Sequence, residues 1–171
     1  MAAAVRVRKE MNVPEQIRRI DYFHLAVPDG HGAGVRVLAA LQAAGVNLLG
    51  ISVFPHGARR SELDLVPEDS AAFRKAAKTA GFKLSRKKTG FLIQGEERPG
   101  VMADAAKRLA EAHIPIISEQ VFCAGSGRYG GMLWVGAPDL RRAAKVLGAT
   151  PWQNPKLVST AGYPSPFDES C

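Results

Sequence analysis

The chain states one order of signals twice. Residues 21–81 and 89–148 each present a short apolar run, a glycine-rich or Pro-Gly loop and an Ala/Leu-rich helical stretch. Each then continues with two apolar runs joined by a polar turn and a second helical stretch that ends at glycine. The offset of about 68 residues is longer than a solenoid repeat and matches a very small domain. A unit of about 60 residues buries little surface and is marginal alone. Pairing two such units removes exposed sheet edges or covers open sheet faces, so the duplication has a structural reason before function is considered.

In the first copy, 22–27 reads as a strand with Phe23, Leu25 and Val27 on one face and Tyr22, His24 and Ala26 on the other. Residues 28–32 break it. Residues 34–44 read as a helix with Val35, Leu38 and Leu41 on one stripe, closed by Gly45. Strands follow at 46–54 and 61–66. Glu68, Asp69 and Ser70 offer caps to a helix that runs to Ala80, and 82–85 reads as a fourth strand.

The second copy gives a strand at 91–94 and a helix at 101–113 with Val101, Ala105, Leu109 and Ala112 along one stripe. Strands at 114–122 and 131–136 follow, and a helix at 139–147 capped by Asp139. Residues 1–19 read as a leader without apolar periodicity. Residues 150–171 read as an extended tail, because Pro151, Pro155, Pro164 and Pro166 forbid regular structure, with Trp152 and Phe167 pinning it to the body. The expected fold class is α+β: ferredoxin-like βαββαβ in two tandem copies, residues 18–88 and 89–149, each an antiparallel sheet with its helices on one face.

The 171 residues are 46% apolar and 23% charged, enough for a real core in a soluble chain. No apolar run approaches the ~18 residues of a membrane span, and the first ten residues lack the apolar segment of a secretory signal. Cys123 and Cys171 are the only cysteines, so a reducing cytoplasm is expected. The net charge of +7 invites a nucleic-acid reading, but the basic residues are scattered in pairs that solvated helix faces and turns explain.

Constellations for catalysis are poorly supported. Gly125-Ser126-Gly127 lacks the nucleophile-elbow form. Cys123, near the end of an apolar strand, reads as a small buried hydrophobe. His24, His31, His56 and His113 show no metal-ligand spacing, and no carboxylate pair stands out as an acid–base couple. Gly30, Gly32 and Gly34 lack the spacing of a dinucleotide loop. No enzyme activity, cofactor or metal is expected.

The informative segment is Gly95-Glu96-Glu97-Arg98-Pro99-Gly100-Val101-Met102. Pro99 fixes φ and needs no backbone donor at the start of a helix. Gly100 and the residues after it are expected to point free N–H groups outward, where the helix dipole favours an anion such as a carboxylate. Asp29 or Glu97 is the expected acceptor for an ammonium group, and His31 is a candidate side-chain contact.

This segment resembles the opening loop of the ACT domain family of amino-acid-sensing regulatory modules, which reads Asp-Arg-Pro-Gly-Val/Ile-Leu before a helix and a strand opening Gly-Ile-Asn-Ile. Arg98, Pro99, Gly100 and Val101 match, with Glu97 in place of Asp. In the first copy Gly34-Val35 aligns with Gly100-Val101, and Gly45-Val46-Asn47-Leu48 fits the second-strand signature. The loop from Pro28 to Ala33 departs from the pattern. The resemblance covers about residues 19–149 and implies a ligand between paired modules, touching this loop and the start of the second strand. It nominates Asp29, Gly30, His31 and Gly34 with Asn47 and Leu49, and Glu97, Arg98, Pro99, Gly100 and Val101 with Ile116 and Ser118. It implies a non-catalytic regulatory protein that binds an amino acid or similar small carboxylate, forms a homodimer and needs no membrane or nucleic acid.

Two alternatives stay open. One is RNA binding through the RNA-recognition plan, with Trp134 and Phe91 as stacking aromatics, although the spacing around Gly130-Gly131 departs from the aromatic signature and Tyr129 reads as part of the turn. The other is a purely structural oligomerisation module.

Overall fold

The computed structural model describes residues 15–28, 32–57 and 59–153. The fold is α+β, with antiparallel strand pairing and four α-helices among the described residues. The chain divides into two compact units. Of the described residues, the first holds 19–90 with 151–153, and the second holds 91–150 with 15–18.

The first unit contains most of β1 (Gln16–Pro28), then α1 (Ala33–Ala43), β2 (Leu48–Pro55), β3 (Arg60–Pro67) and α2 (Ser70–Thr79). Strand β3 lies between β1 and β2 and is antiparallel to both. Alternation along β1 puts Phe23, Leu25 and Val27 into a core with Leu63 and Leu65 of β3, Ala33, Val37 and Leu41 of α1, and Phe73 of α2. Asp69 caps α2, its carboxylate accepting from the amides of Ala71 and Ala72 at 2.8 and 3.0 Å.

The second unit contains most of β4 (Lys88–Glu96), then α3 (Val101–Glu111), β5 (Ile116–Gly125), β6 (Arg128–Val135) and α4 (Leu140–Leu147). Here β6 lies between β4 and β5, again antiparallel to both. Phe91, Ile93 and Leu133 of the sheet bury against Ala105 and Leu109 of α3 and Ala143 and Leu147 of α4. The stripe expected on α3 is the one that packs. A short strand, β7 (Thr150–Pro151), follows α4.

All four helices end in the same double hydrogen bond, in which a left-handed residue donates to the carbonyl three back and its successor to the carbonyl five back. Gly45, Gly81 and Gly148 take the left-handed conformation this requires. His113 takes it in α3 at φ 55, so that helix stops at Glu111 instead of reaching His113.

Several local expectations give way. The buried stripe of α1 is Ala33, Val37 and Leu41, while Val35 is 68% and Leu38 42% exposed. Apolar residues lie nearly all round this helix, so sequence periodicity does not single out a face. The leader is not featureless: β1 begins at Gln16, and Ile17 is buried. Glu15 accepts from the Tyr129 hydroxyl at 2.9 Å and from Arg108 Nη2 at 2.8 Å. Burial and this carboxylate raise the Tyr129 pKa above the ordinary phenol value. The strand expected at 82–85 is reduced to one bridge, Leu84 to Leu25.

Asp139 makes no cap hydrogen bond. It ends a 3₁₀ turn (Ala137–Asp139), and its carboxylate takes Arg142 Nη1 at 3.0 Å. Trp152 does pin the segment after β7, through its amide to Arg19 O and its indole N–H to Glu68 O, both at 3.0 Å. Phe167, Cys171, Pro155, Pro164 and Pro166 lie outside the described residues.

Candidate functional site

The segment Glu97–Val101 forms a tight turn between β4 and α3. Val101 N donates to Arg98 O at 3.3 Å, with Pro99 and Gly100 as the central pair. Gly100, at φ 78 and ψ 15, is the left-handed residue a type II turn needs at its third position, and proline presets the second. Ala103 N donates back to Gly100 O at 2.9 Å. The amides of Val101 and Ala103 are therefore used within the turn, contrary to the expectation that the amides following Gly100 all point outward. Arg98 is engaged at the surface. Its Nη2 holds Asp104 in the first turn of α3, an ion pair and hydrogen bond that raise the Arg98 pKa and lower that of Asp104.

Glu97 has a partner that the sequence did not disclose. Cys123, expected to be buried, is exposed on β5, and its Sγ donates to Glu97 Oε1 at 3.1 Å. At the hairpin tip Ser126 and Gly127 both have positive φ, as a two-residue type I′ loop requires, and Phe122 beside Cys123 is 64% exposed. The hydrogen bond to Glu97, then its negative charge, raise the Cys123 pKa. Since the thiolate is the nucleophile, Glu97→Gln is expected to speed alkylation of Cys123 at pH 8 severalfold, followed by peptide mapping after iodoacetamide treatment. An unchanged rate would mean the carboxylate does not hold the thiol.

In the first unit Asp29, Gly30 and His31 lie outside the described residues. The left-handed N-cap of α1 is Gly32, at φ 96 and ψ −5. The counterpart of Gly100-Val101 is thus Gly32-Ala33, and Gly34 sits two residues further on, inside the first turn of α1. Asn47 is exposed, its amide donating to Glu68 at 3.2 Å. It helps line a shallow groove of about 370 Å³ with Leu38, Gln42 and Val46. Leu49 is half-buried at the irregularity in β2 between Leu48 and Gly50.

Among the described residues, those nominated do not converge within either unit. Strand pairing sets Pro28 and Pro55 at one end of the first sheet and Leu48 at the other, opposite Pro67. Gly32, the N-cap of α1, and the start of β2 are therefore separated by the length of α1, about 16 Å for eleven residues. The second unit repeats this. The turn Glu97–Val101 lies with Gly125 and Arg128, while Ile116 opposes Val135 at the far end and half-buried Ser118 opposes Trp134.

Side chains that sequence spacing did not connect meet on the sheet face away from the first core. His24 opposes Asp64 across β1 and β3, and its Nδ1 hydrogen-bonds the Asp64 carboxylate and lies 3.3 Å from Glu62 Oε1. Lys88 Nζ hydrogen-bonds the other ring nitrogen. A further open cleft, of about 520 Å³, is lined by Arg19, Asp21, Ser70, Lys87 and Trp152 among others, and contains none of the nominated residues. The stacking aromatics of the RNA alternative are unavailable to bases, because Phe91 and Trp134 are buried, as is Tyr129. No helix among the described residues is long and apolar enough to cross a membrane.

The architecture is that of ACT-domain modules. The chain is similar to a solved protein of Bacteroides thetaiotaomicron with a TM-score of 0.67 at 17% identity, over 77% of this chain and 88% of that one. It is similar to the regulatory subunit of aspartate kinase from Thermus thermophilus with a TM-score of 0.56 at 14% identity, over 81% and 97% of the two chains. The corresponding subunit from Thermus flavus gives 0.50 at 17% identity, over 81% and 95%. No protein-family model and no curated protein sequence matches the chain.

Proposed function

We propose that this chain is a non-catalytic regulatory protein of two tandem ACT-like modules, and that it binds an amino acid or similar small carboxylate between paired modules. The observation that carries the reading is the Arg98-Pro99-Gly100-Val101 turn seated at the start of α3, in a fold shared with regulatory subunits of aspartate kinase. Tandem duplication is supported by correspondences at one spacing of about 68 residues: the left-handed caps Gly32 and Gly100, the helix ends Gly45 and His113, and the strand irregularities at Leu49 and Ile117.

Because the turn group and the second-strand group lie at opposite ends of a unit, a ligand touching both needs a turn from one module and a strand start from another. Pairing of two copies of the chain provides this, and ligand then acts through its differential affinity for the paired and unpaired arrangements. Assembly is favoured separately by exposed apolar side chains on β2 (Ile51, Val53, Phe54) and β5 (Ile117, Phe122), which pair with β3 alone and β6 alone among the described residues.

Thermal shift against the twenty amino acids at millimolar concentration tests the reading. One chemically related group of ligands raises the melting temperature. A ligand at 100-fold its dissociation constant adds about 2.7 kcal/mol, and Asp29→Ala or Glu97→Ala removes the shift. Absence of any stabilising ligand, or shifts that survive both substitutions, would refute it.

A further inference from the structure

The cluster on the outer face of β1 and β3 has a composition and geometry that the regulatory reading does not use. His24 and Asp64 are directly opposed, and Glu62, two residues before Asp64, shares their face. Ligand atoms of the three residues lie within 4.8 Å of one another, on side chains that are only 15–30% exposed. His56 Nδ1 stands 4.0 Å from the second oxygen of Glu62. We propose that His24 Nδ1, Glu62 and Asp64 form a binding site for a divalent transition-metal ion of the zinc class.

Geometry supports it first. Zinc holds nitrogen and oxygen donors at about 2.0–2.2 Å in a tetrahedron, which puts neighbouring donor atoms about 3.4 Å apart. The Nδ1–Glu62 separation of 3.3 Å already fits. The closer approach of Asp64 is that of a hydrogen bond, and a metal replaces its proton while the carboxylate backs away. All three donors stand on paired strands, which hold such a set more rigidly than loops do.

Charge supports it second. Two carboxylates converge on one imidazole with a single ammonium, Lys88, at the opposite ring nitrogen. The carboxylates outnumber the ammonium, and the Tyr22 ring packs edge-on to His24 at 5.3 Å without adding a positive charge. A divalent cation offsets that excess. One imidazole with two carboxylates suits zinc better than magnesium or calcium, which take all-oxygen shells.

Binding moves the ring proton. Nδ1 must be free to ligate, so the proton sits on Nε2, and Lys88 loses its acceptor and swings out. Lys88 is therefore a competitor of the metal.

Calorimetric titration of the full chain with zinc chloride at pH 7, without any amino acid present, tests this separately from the regulatory reading. The expected result is one saturable site that His24→Ala abolishes and His113→Ala leaves intact. Asp64→Asn, which keeps size and hydrogen-bonding capacity, weakens it at least about 10-fold, and Lys88→Gln tightens it severalfold. Nitrogen-15 NMR of the histidine rings reports metal on Nδ1 and the proton on Nε2 of His24. Circular dichroism verifies that each variant is folded, and Asp64→Asn carries the test if His24→Ala is not. Failure of the folded protein to bind zinc, equal stoichiometry in wild type and the variants, or magnesium binding as tight as zinc would overturn the site and leave an imidazole–carboxylate hydrogen bond only.

Discussion

Phe73→Ala is expected to destabilise the first unit by about 3–5 kcal/mol, the range for removing a large aromatic from a closed core. Phe73 is fully buried on α2, and its ring lies 5.2 Å from that of Phe23 on β1. The two rings bridge helix and sheet, so truncation removes both apolar burial and the aromatic contact and leaves a cavity between two elements. Arg74 is the neighbouring control, exposed on the same helix. Arg74→Ala should stay within about 0.5 kcal/mol. Urea denaturation of the three proteins, with midpoints compared at equal slope, decides it. A Phe73→Ala midpoint equal to that of Arg74→Ala would mean that α2 does not cover the sheet through this side chain.

Gly131→Ala and Gly130→Ala are expected to act in opposite directions although the residues are adjacent in β6. A Cβ on Gly131 would meet the Gln120 carbonyl oxygen at 2.9 Å and Val121 Cγ2 at 3.2 Å. The nearest atom is backbone of the paired strand, so β5 must shift, and overpacking of this kind costs about 1–3 kcal/mol or more. A Cβ on Gly130 meets nothing within 4 Å, and its φ is not in the left-handed region. Alanine there narrows the unfolded ensemble and adds up to about 1 kcal/mol of stability. Thermal unfolding of both variants reads the difference in sign. Equal effects would show that the register of β5 on β6, Val121 opposite Gly131, is wrong.

Much of the architecture was legible because it is written in local chemistry. Glycine at 45, 81 and 148 marked three helix ends correctly, since a left-handed residue there is nearly free for glycine. The end of α3 was misplaced because His113 takes that conformation without the usual marker, at a strain other residue types rarely bear. On β1, strict alternation identified the buried face. On α1, apolar residues all round the helix made Val35, Leu38 and Leu41 look like the buried stripe, whereas packing against α2 and the sheet selects Ala33, Val37 and Leu41. The Arg98-Pro99-Gly100-Val101 turn was readable as a turn, but the inward use of the Val101 amide and the hold of Arg98 on Asp104 follow from its closed geometry.

The amino-acid order alone determined most of the element types and three of the four helix ends, because each depends on residues within a few positions of one another. The tertiary structure alone decided that His24 faces Asp64 across 40 residues, that Cys123 is exposed and held by Glu97 across 26, and that the Glu97–Val101 turn and the start of β5 fall at opposite ends of one sheet. Strand register sets those distances. Register is fixed by which faces are buried together, a property of the assembled sheet and its helices that no single segment carries.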